Sequence, residues 1–328
     1  MGKSYKWGIL GPGNIAGRWV EGLRLLPEAV LYSVGSREQA RADDFAKLHG
    51  FEKAFGSYRE LAEDRETDIV YVASPHSHHM EHVLLCLEGG KSVICEKAFA
   101  INAKEVRAMI DLAARKELFL MEALWPPFQP SYRYSKELLA GGLAGEILSI
   151  RSYFAFKPPY DPAKRLFNKA LGGGALLDIG IYPVIDALWF LGKPDKIDVA
   201  ASFAETGADS SIDVLFSYRT GKTASLYASF DTGIGIGTDL ICEKGLISLR
   251  RNGDGSQVCR LEIYGGETEE KIFKPAARGY HFEALEVMKC LDKGKIESEV
   301  VPLSFSLDLI DTLDDIRQEA GIVYPGHD

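Results

Sequence analysis

The first part of the chain alternates short apolar runs with stretches whose apolar residues recur at helical spacing. In His76–Glu88, apolar residues recur at i, i+3, i+4 and i+7 from Met80 onward, which predicts an amphipathic helix. Alternation of such helices with short apolar runs is typical of βαβ units, with helices on both faces of a parallel sheet. The predicted strands of this part are Tyr5–Leu10, Val30–Val34, Ile69–Ala73, Ser92–Cys95 and Phe119–Met121.

The pattern changes at Glu146, where strand-like runs follow one another on short turns rich in Gly, Asp and Asn. Such short connections predict a largely antiparallel sheet. Helical spacing interrupts it at Ala175–Leu191 and in two late stretches, roughly Phe282–Lys293 and Phe305–Glu319. The predicted strands are Ile147–Phe156, Lys196–Phe203, Ser211–Ser217, Thr223–Phe230, Gly245–Leu249 and Arg260–Tyr264.

These patterns predict an α/β protein of two domains, which also suits its length of 328 residues. We expect a Rossmann domain with a doubly wound parallel sheet over residues 1–124, and an α+β domain with a large, mostly antiparallel sheet over 125–328. The boundary is placed near Trp125–Pro130, where three prolines follow the fifth strand. The second domain is expected to bind substrate and to form a homodimer through its sheet, because one sheet face needs a cover.

Composition narrows the classes of partner and location. The formal net charge is −9 and no Lys/Arg run occurs, which argues against nucleic acid or an anionic membrane surface as partner. No uninterrupted apolar run approaches the ~18 residues that span a bilayer, and the N-terminus lacks the pattern of a signal peptide. The five cysteines are scattered without a Cys-x-x-Cys pair. We therefore expect a cytoplasmic protein with reduced cysteines.

A glycine-rich turn follows the first predicted strand and opens a helical pattern. Gly11 permits a tight turn, Gly13 allows a pyrophosphate to approach the backbone, and the small Ala16 allows close packing of helix on strand. The start of the helix, at Asn14 and Ile15, offers free N–H groups to an anion. In this place the turn predicts a dinucleotide site rather than an ordinary surface turn.

The choice of dinucleotide depends on the end of the second strand. An NAD site has Asp or Glu there to hold the ribose 2′-hydroxyl, whereas this chain has Ser36 and Arg37, with Arg41 one helical turn later. A serine hydroxyl and a guanidinium can bind a 2′-phosphate, and no carboxylate repels it. We therefore predict NADP rather than NAD as cofactor.

Three further segments, in order along the chain, carry a family resemblance. They are the run Ser74-Pro75-His76-Ser77-His78-His79, the run Cys95-Glu96-Lys97, and the glycine-rich run from Gly172 to Tyr182. Together with the glycine turn they resemble the Gfo/Idh/MocA family of nicotinamide-dependent oxidoreductases. The segment from Met121 to Trp125 and the Gly-Ile-Tyr ending are most similar to its dimeric dihydrodiol dehydrogenase / NADP-dependent D-xylose dehydrogenase branch.

The resemblance implies roles for residues of the first domain. Glu96 matches a glutamate that contacts the cofactor ribose, and Lys97 matches a lysine that faces the reacting carbon. Lys97 also ends a predicted parallel strand on the side where open α/β folds bind their ligands. The residues that match the lining of the nicotinamide ribose are Ser74, Pro75, His76 and His79.

The resemblance also implies a catalytic pair in the second domain. Asp178 matches the family's aspartate after the glycines, and Tyr182 takes the place of its final histidine. Their i, i+4 spacing places both on one face of a regular helix, where Asp178 could orient a substrate hydroxyl and Tyr182 could pass a proton. Further candidates for substrate binding are Trp125, Phe154 and Arg165.

Two positions depart from the family pattern. The proline after the lysine is Ala98 here, and the arginine often found shortly after the tryptophan is replaced by the run from Pro126 to Phe128. The second departure removes a cation that would contact substrate, so the family does not fix the substrate of this chain.

Four histidines between His76 and His82 suggest a metal cluster at first sight. No Cys or carboxylate completes a tetrahedral set at a familiar spacing. We predict no metal, and interpret these histidines as solvated residues of a helix face plus a neighbour of the cofactor.

The sequence predicts an NADP-dependent oxidoreductase that acts on a hydroxyl-bearing carbon of a sugar or cyclic diol, of aldose 1-dehydrogenase or trans-dihydrodiol dehydrogenase type. The alternatives are an inositol or imine/biliverdin-type reductase of the same family, and a protein that binds NADP(H) as a sensor without catalysis. Ala98 is the feature that gives the sensor alternative some support.

Overall fold

The structure, a computed structural model, describes residues 3–328. By internal packing the chain divides into two compact units. One comprises the chain through Trp125 together with Ala276–Leu307, and the other comprises Pro126–Pro275 and Asp308–Asp328. A late segment therefore packs with the N-terminal part, although it is distant from it in sequence. The division into functional domains at 124/125 stays a prediction.

The first unit contains a six-stranded parallel sheet of order β3-β2-β1-β4-β5-β6, which confirms the predicted doubly wound sheet. The five predicted strands form, while the three-residue β3 is too short to give a sequence signal. The strands are β1 (Tyr5–Leu10), β2 (Ala29–Gly35), β3 (Lys53–Phe55), β4 (Ile69–Val72), β5 (Ser92–Glu96) and β6 (Leu120–Ala123).

Helices cover this sheet, and its central strand β4 is apolar throughout. Every residue of β4 is buried, as expected for a parallel strand that is covered on both faces. The rings of Trp19 and Tyr71 stack at 4.3 Å and fix the first helix to the sheet. The helices are α1 (Asn14–Leu23), α2 (Gln39–His49), α3 (Tyr58–Glu63), α4 (His79–Glu88), α5 (Ala103–Lys116) and, from the late segment, α9 (His281–Asp292).

The second unit contains an eight-stranded sheet of order β14-β13-β12-β11-β7-β10-β9-β8. All neighbours are antiparallel except β7 and β10, so the predicted mostly antiparallel sheet is confirmed. The strands are β7 (Ile147–Ala155), β8 (Lys196–Phe203), β9 (Asp209–Ser217), β10 (Thr223–Ser229), β11 (Gly235–Cys242), β12 (Gly245–Arg251), β13 (Gln257–Ile263) and β14 (Thr268–Phe273).

Two of these strands were not predicted, and each has a local reason. β11 contains two glycines, which weaken a strand pattern. β14 is an edge strand in which three of six residues are charged and exposed, and charged side chains protect a sheet edge from pairing with another chain.

Helices of the second unit pack against the sheet. They are α6 (Trp125–Phe128, which begins at the last residue of the first unit), α7 (Pro130–Ala140) and α8 (Ile181–Leu191); the division between units falls inside α10 (Leu303–Ala320). The helical stretch Lys169–Leu191 is long and apolar enough to cross a membrane, with a mean hydropathy of 1.5, yet 78% of that window is buried within the protein. Such a stretch is weak evidence for a span, because the core helix of a compact unit has the same composition.

Candidate active site

The turn after β1 has the geometry that a phosphate-binding loop requires. Gly11 has φ +89°, and a Cβ there would lie 3.2 Å from the backbone of Ala73 and Ser74, so only glycine fits. A Cβ on Gly13 would meet nothing within 4 Å. Gly13 also precedes α1, whose N-terminus has no side-chain cap, so its first N–H groups are available to an anion. The residues present fit a dinucleotide pyrophosphate.

The end of β2 presents a hydroxyl and two guanidinium groups. Ser36 is buried and donates its backbone N–H to the carbonyl oxygen of Phe55 at 3.1 Å, which fixes its position. Arg37 and Arg41 are exposed, and neither makes an ion pair within residues 3–328. This edge of the sheet therefore carries unneutralised positive charge.

Tyr58 adds an aromatic side chain to the same edge. Burial raises the pKa of its phenol, while the charges of Arg37 and Arg41 and a hydrogen bond from Arg37 lower it. The Tyr58 ring meets the ring of His82 edge-on at 4.5 Å, and His82 Nδ1 lies 2.8 Å from Ser74 Oγ. Sequence reasoning missed Tyr58, since only folding brings α3 beside β2 and α4.

Three side chains hold the backbone that follows Lys97 at the end of β5. His76 Nε2 lies 3.1 Å from the carbonyl oxygen of Lys97, and His79 Nδ1 lies 2.8 Å from that of Ala98. The N–H of Phe99 donates to Glu122 Oε1 at 3.0 Å. The Lys97–Ala98 peptide bond is cis. Consecutive backbone groups are thus fixed from three different elements.

The prediction that the histidines are solvated is wrong for His76, His79 and His82, which are buried. Their ring nitrogens face backbone and side-chain oxygens, and such contacts form only inside the fold. Burial lowers the pKa of His79 and that of His82 to about 4 each, so both are neutral at neutral pH. Within residues 3–328 no group of three or more His, Cys, Asp or Glu side chains could hold a metal ion.

Carboxyl groups cluster around Glu96, the last residue of β5. Glu96 accepts hydrogen bonds from the hydroxyl of Tyr71 and, at 3.3 Å, from the N–H of Lys97. Burial raises the pKa of Glu122 to about 8, and burial also raises the pKa of Glu283 well above its usual range. Glu122 and Glu283 had no role in the sequence analysis; a glutamate inside a short apolar strand is the signal that could have identified Glu122.

Trp125 is buried and tied to the late segment of the first unit. Its indole N–H donates to the carbonyl oxygen of Arg278 at 2.9 Å. The prediction that Trp125 binds substrate is not tested by this contact.

In the second unit the predicted substrate residues come together in two pairs. Arg165 Nη1 lies 2.8 Å from Asp178 Oδ1, and this carboxylate is only 7% exposed. The rings of Phe154 and Tyr182 are 5.4 Å apart. The expected regular helix through Asp178 is interrupted, because Leu176–Gly180 forms a π-helical turn before α8 begins. Such turns occur frequently at functional sites.

An aromatic wall connects Tyr182 with a cavity of about 790 Å³ in the same unit. From Phe154 the ring contacts continue to Phe156 at 6.1 Å and from Phe156 to Phe230 at 5.5 Å. The volume is that of a small-molecule pocket. The lining residues include Lys157, Tyr160, Phe167, Phe203, Glu205 and Phe230.

Two family descriptions match most of the chain. "Oxidoreductase family, NAD-binding Rossmann fold" matches residues 5–124, and "GFO/IDH/MocA C-terminal domain" matches residues 132–248. The chain belongs to the Gfo/Idh/MocA family. The resemblance seen in the sequence is therefore confirmed, and the protein is an NAD(P)-dependent dehydrogenase or reductase.

Named relatives of this Gfo/Idh/MocA protein extend over the same length. The human trans-1,2-dihydrobenzene-1,2-diol dehydrogenase is 36% identical over 333 residues, which cover 98% of each chain. The Xenopus laevis protein of that name is 34% identical over 331 residues, covering 98% of this chain and 99% of the relative.

Solved structures of related proteins share the fold. KijD10, a 3-ketoreductase from Actinomadura kijaniata in complex with NADP and TDP-benzene, has a TM-score of 0.85 at 25% identity, covering 97% of this chain and 98% of that one. Levoglucosan dehydrogenase in complex with NADH and L-sorbose has a TM-score of 0.87 at 19% identity, covering 98% and 97%.

Proposed function

We propose that this protein is an NADP-dependent oxidoreductase that transfers hydride between nicotinamide and a hydroxyl-bearing carbon of a sugar or cyclic diol. The observation that carries the proposal is the fixed backbone at Lys97, held by His76, His79 and Glu122 at the carboxyl end of β5. Ligands of open α/β sheets bind at this edge. The relatives named as diol dehydrogenases support the substrate class.

The preference for NADP rests on this chain's own residues, since the solved relatives hold NADP in one case and NADH in another. Ser36, Arg37 and Arg41 would bind the 2′-phosphate, and the unneutralised guanidinium groups favour a dianion there. The pyrophosphate would lie on the turn formed by Gly11, Gly13, Asn14, Ile15 and Ala16. The nicotinamide ribose would lie against Ser74, Pro75, His76, His79 and Glu96.

When bound, the nicotinamide ring accepts or donates the hydride. In the oxidative direction the carbinol carbon loses a hydride, its oxygen loses a proton, and a carbonyl forms. We assign the proton to Lys97 and Tyr182. Tyr182 needs a nearby positive charge for this task, because a phenol has a pKa near ~10 in water.

The substrate residues of the second unit suit a polyhydroxylated ligand with an apolar side. Asp178 would orient a hydroxyl, and its ion pair with Arg165 fixes the direction of the carboxylate. Phe154 provides an apolar surface that continues towards the cavity. Trp125 is a further candidate for contact with substrate.

We also propose that a second copy of the chain covers the outer face of the eight-stranded sheet. Leu148 and Leu215 are exposed on strands of this sheet at 48% and 43%. Apolar residues that are exposed together on one surface often mark an interface. Size-exclusion chromatography with light scattering would give the mass of a dimer; a stable monomer would overturn this proposal.

The deciding experiment has two stages. The purified protein is first titrated with NADPH and with NADH, and we expect tighter binding of NADPH. Absorbance of the reduced nicotinamide is then followed against aldoses, inositols and dihydrodiols, with Lys97→Ala as the inactive control.

Turnover of an aldose or diol with NADP, abolished in Lys97→Ala, supports the proposal. Turnover of inositols alone would favour the inositol-type alternative. Tight NADPH binding without turnover, together with unchanged binding in Lys97→Ala, would overturn the catalytic proposal and leave a sensor.

A further inference from the structure

The carboxylate of Asp209 lies at the start of the helical turn that carries Asp178. Asp209 is the first residue of β9 and has no exposed surface (0%). Its Oδ2 accepts a hydrogen bond at 2.6 Å from the N–H of Leu176, two residues before Asp178. The first N–H groups of a helix lack partners within the helix, and the positive end of its dipole attracts a carboxylate. Asp209 therefore holds the backbone immediately before Asp178.

Gly174 provides the space that this carboxylate occupies. Its φ is +139°, and a Cβ on it would lie only 2.0 Å from Asp209 Oδ1. The carbonyl oxygen of Gly174 also accepts the N–H of Asp178 at 3.3 Å. The third glycine of the run is thus required for two reasons, its backbone conformation and the close approach of Asp209.

Tyr324 closes the same space from the C-terminal segment. Its Oη would lie 3.1 Å from a Cβ on Gly174, and the side chain is only 1% exposed. The Arg317 guanidinium lies 4.9 Å from the centre of the Tyr324 ring, and the N–H of Tyr324 donates to Asp328 Oδ2 at 2.6 Å. These contacts fix the tyrosine independently of the glycine run.

Two polar atoms next to Gly174 have no hydrogen-bond partner. Asp209 Oδ1 and Tyr324 Oη are both buried and unpaired among the described residues. Unpaired buried polar atoms are rare in folded proteins and costly, so their presence calls for a functional explanation.

We propose that Asp209 and Tyr324 are positioning residues for Asp178. Asp209 acts through its hydrogen bond with the N–H of Leu176, and Tyr324 acts by filling the space beside Gly174. The proposal rests on the proposed function, in which Asp178 orients the substrate. It adds that the last residues of the chain take part in building the substrate site.

The test compares Asp209→Ala with Asp209→Asn. Alanine removes the acceptor for the N–H of Leu176, whereas asparagine keeps an oxygen in its place. For Asp209→Ala we expect kcat/KM for the polyol to fall on the order of tenfold to a hundredfold, mainly through KM, since small displacements of an orienting group have such effects. Asp209→Asn should recover most of this loss, and the Kd for NADPH should stay unchanged in both variants. Tyr324→Phe should raise KM in the same direction by less.

Asp186→Asn is the matched control, because Asp186 is another buried aspartate of the same unit. Its Oδ1 accepts from the hydroxyl of Tyr132 and its Oδ2 from that of Ser152, each at 2.6 Å. We expect a lower Tm in this variant with an unchanged KM. Equal losses of kcat/KM in Asp186→Asn and Asp209→Ala, in proportion to the loss of folded protein, would show a structural role only and overturn the proposal.

Two further outcomes separate this proposal from the proposed function. If Asp178→Asn lowers kcat/KM while folded Asp209→Ala keeps the wild-type value, only the positioning proposal fails. If Asp178→Asn itself leaves kcat/KM unchanged, the proposed role of Asp178 fails, and the positioning proposal fails with it. An unchanged KM in Tyr324→Phe would remove Tyr324 from the proposal.

Discussion

His79 Nδ1 lies 2.8 Å from the carbonyl oxygen of Ala98, the residue directly after Lys97. The other ring nitrogen of His79 lies 2.8 Å from the carbonyl oxygen of Ser74, so one buried imidazole joins the ends of two neighbouring parallel strands. Burial lowers the pKa of His79 to about 4, and a neutral ring donates to only one of these carbonyls at a time. The presentation of Lys97 thus depends on α4 as well as on its own strand.

We expect His79→Leu to lower the free energy of unfolding by about 1–3 kcal/mol, because a buried carbonyl loses its donor. The value of kcat should fall as well, since the backbone at Lys97 is no longer fixed. Urea unfolding and steady-state kinetics measure the two effects. His78→Leu is the control, since the ring Nδ1 of His78 faces the hydroxyl of the neighbouring Ser77, at 2.9 Å, and its loss should change neither quantity. Equal effects in the two variants would contradict this account of His79.

Glu122 should make stability depend on pH. Its folded-state pKa is raised to about 8 by burial, so the native state binds a proton that the unfolded state releases near its ordinary value of 4.5. The contribution of Glu122 is therefore fully present below the unfolded pKa, and is lost as pH rises towards 8. We expect the free energy of unfolding to fall by roughly 1 kcal/mol per pH unit from this group between these values.

Glu122→Gln should remove this dependence while keeping an oxygen for the N–H of Phe99. Denaturant unfolding at several pH values compares it with wild type and with Glu63→Gln, a substitution at an exposed glutamate. A wild-type slope that persists in Glu122→Gln would show that other groups cause it.

Arg37→Ala should weaken binding of NADPH and leave NADH unchanged. A hydrogen bond to a charged group contributes about 1.5–3 kcal/mol, so the Kd for NADPH should rise on the order of tenfold to a hundredfold. Fluorescence titration with both nucleotides measures the change within one variant. Arg59→Ala, at an arginine that is 74% exposed and paired with Glu63, serves as the control for loss of charge. A parallel loss of NADH and NADPH affinity would contradict a specific role in 2′-phosphate binding.

Tyr182→Phe should lower kcat by about 10²–10⁴ with little change in Tm. It removes the hydroxyl that we assign to proton transfer, while the ring keeps its contact with Phe154 at 5.4 Å. Tyr218→Phe is the matched control, because its hydroxyl donates to the carbonyl oxygen of Gly192 at 3.1 Å on the same unit. If Tyr182→Phe keeps the wild-type kcat, a group other than Tyr182 transfers the proton of the substrate hydroxyl.

Local patterns predict elements whose residues interact mainly with their neighbours along the chain. Burial on a sheet face or a helix face repeats with a short period along the chain. For this reason the sequence predicts the strands β1, β4 and β5 and the helix α4. Gly11 and Gly13 indicated the phosphate-binding turn, because a tight turn close to a ligand tolerates few other residues. The short β3 and the charged edge strand β14 carry no such period.

Contacts between distant segments decided what the sequence did not show. Helix-face histidines were expected to be solvated, yet His76, His79 and His82 are buried. The rings of His76 and His79 face backbone carbonyls of residues that follow β4 and β5. Glu122 lay in the segment from Met121 to Trp125 without a role of its own, and Asp209 and Tyr324 belonged to no motif. Glu122 and Asp209 act on backbone groups that are distant in sequence. The late segment Ala276–Leu307 packs with the N-terminal unit for the same reason.

The sequence alone determined the two sheets, the phosphate-binding turn, the family and the residues Lys97, Asp178 and Tyr182 as candidates for catalysis. Periodicity and glycine placement are local properties, so a short stretch of sequence is enough to recognise them. The tertiary structure alone decided how those candidates are held: His79 and Glu122 around the backbone of Lys97, and Asp209 before Asp178. Burial removes water from these groups, so each must find its partner wherever the fold places one.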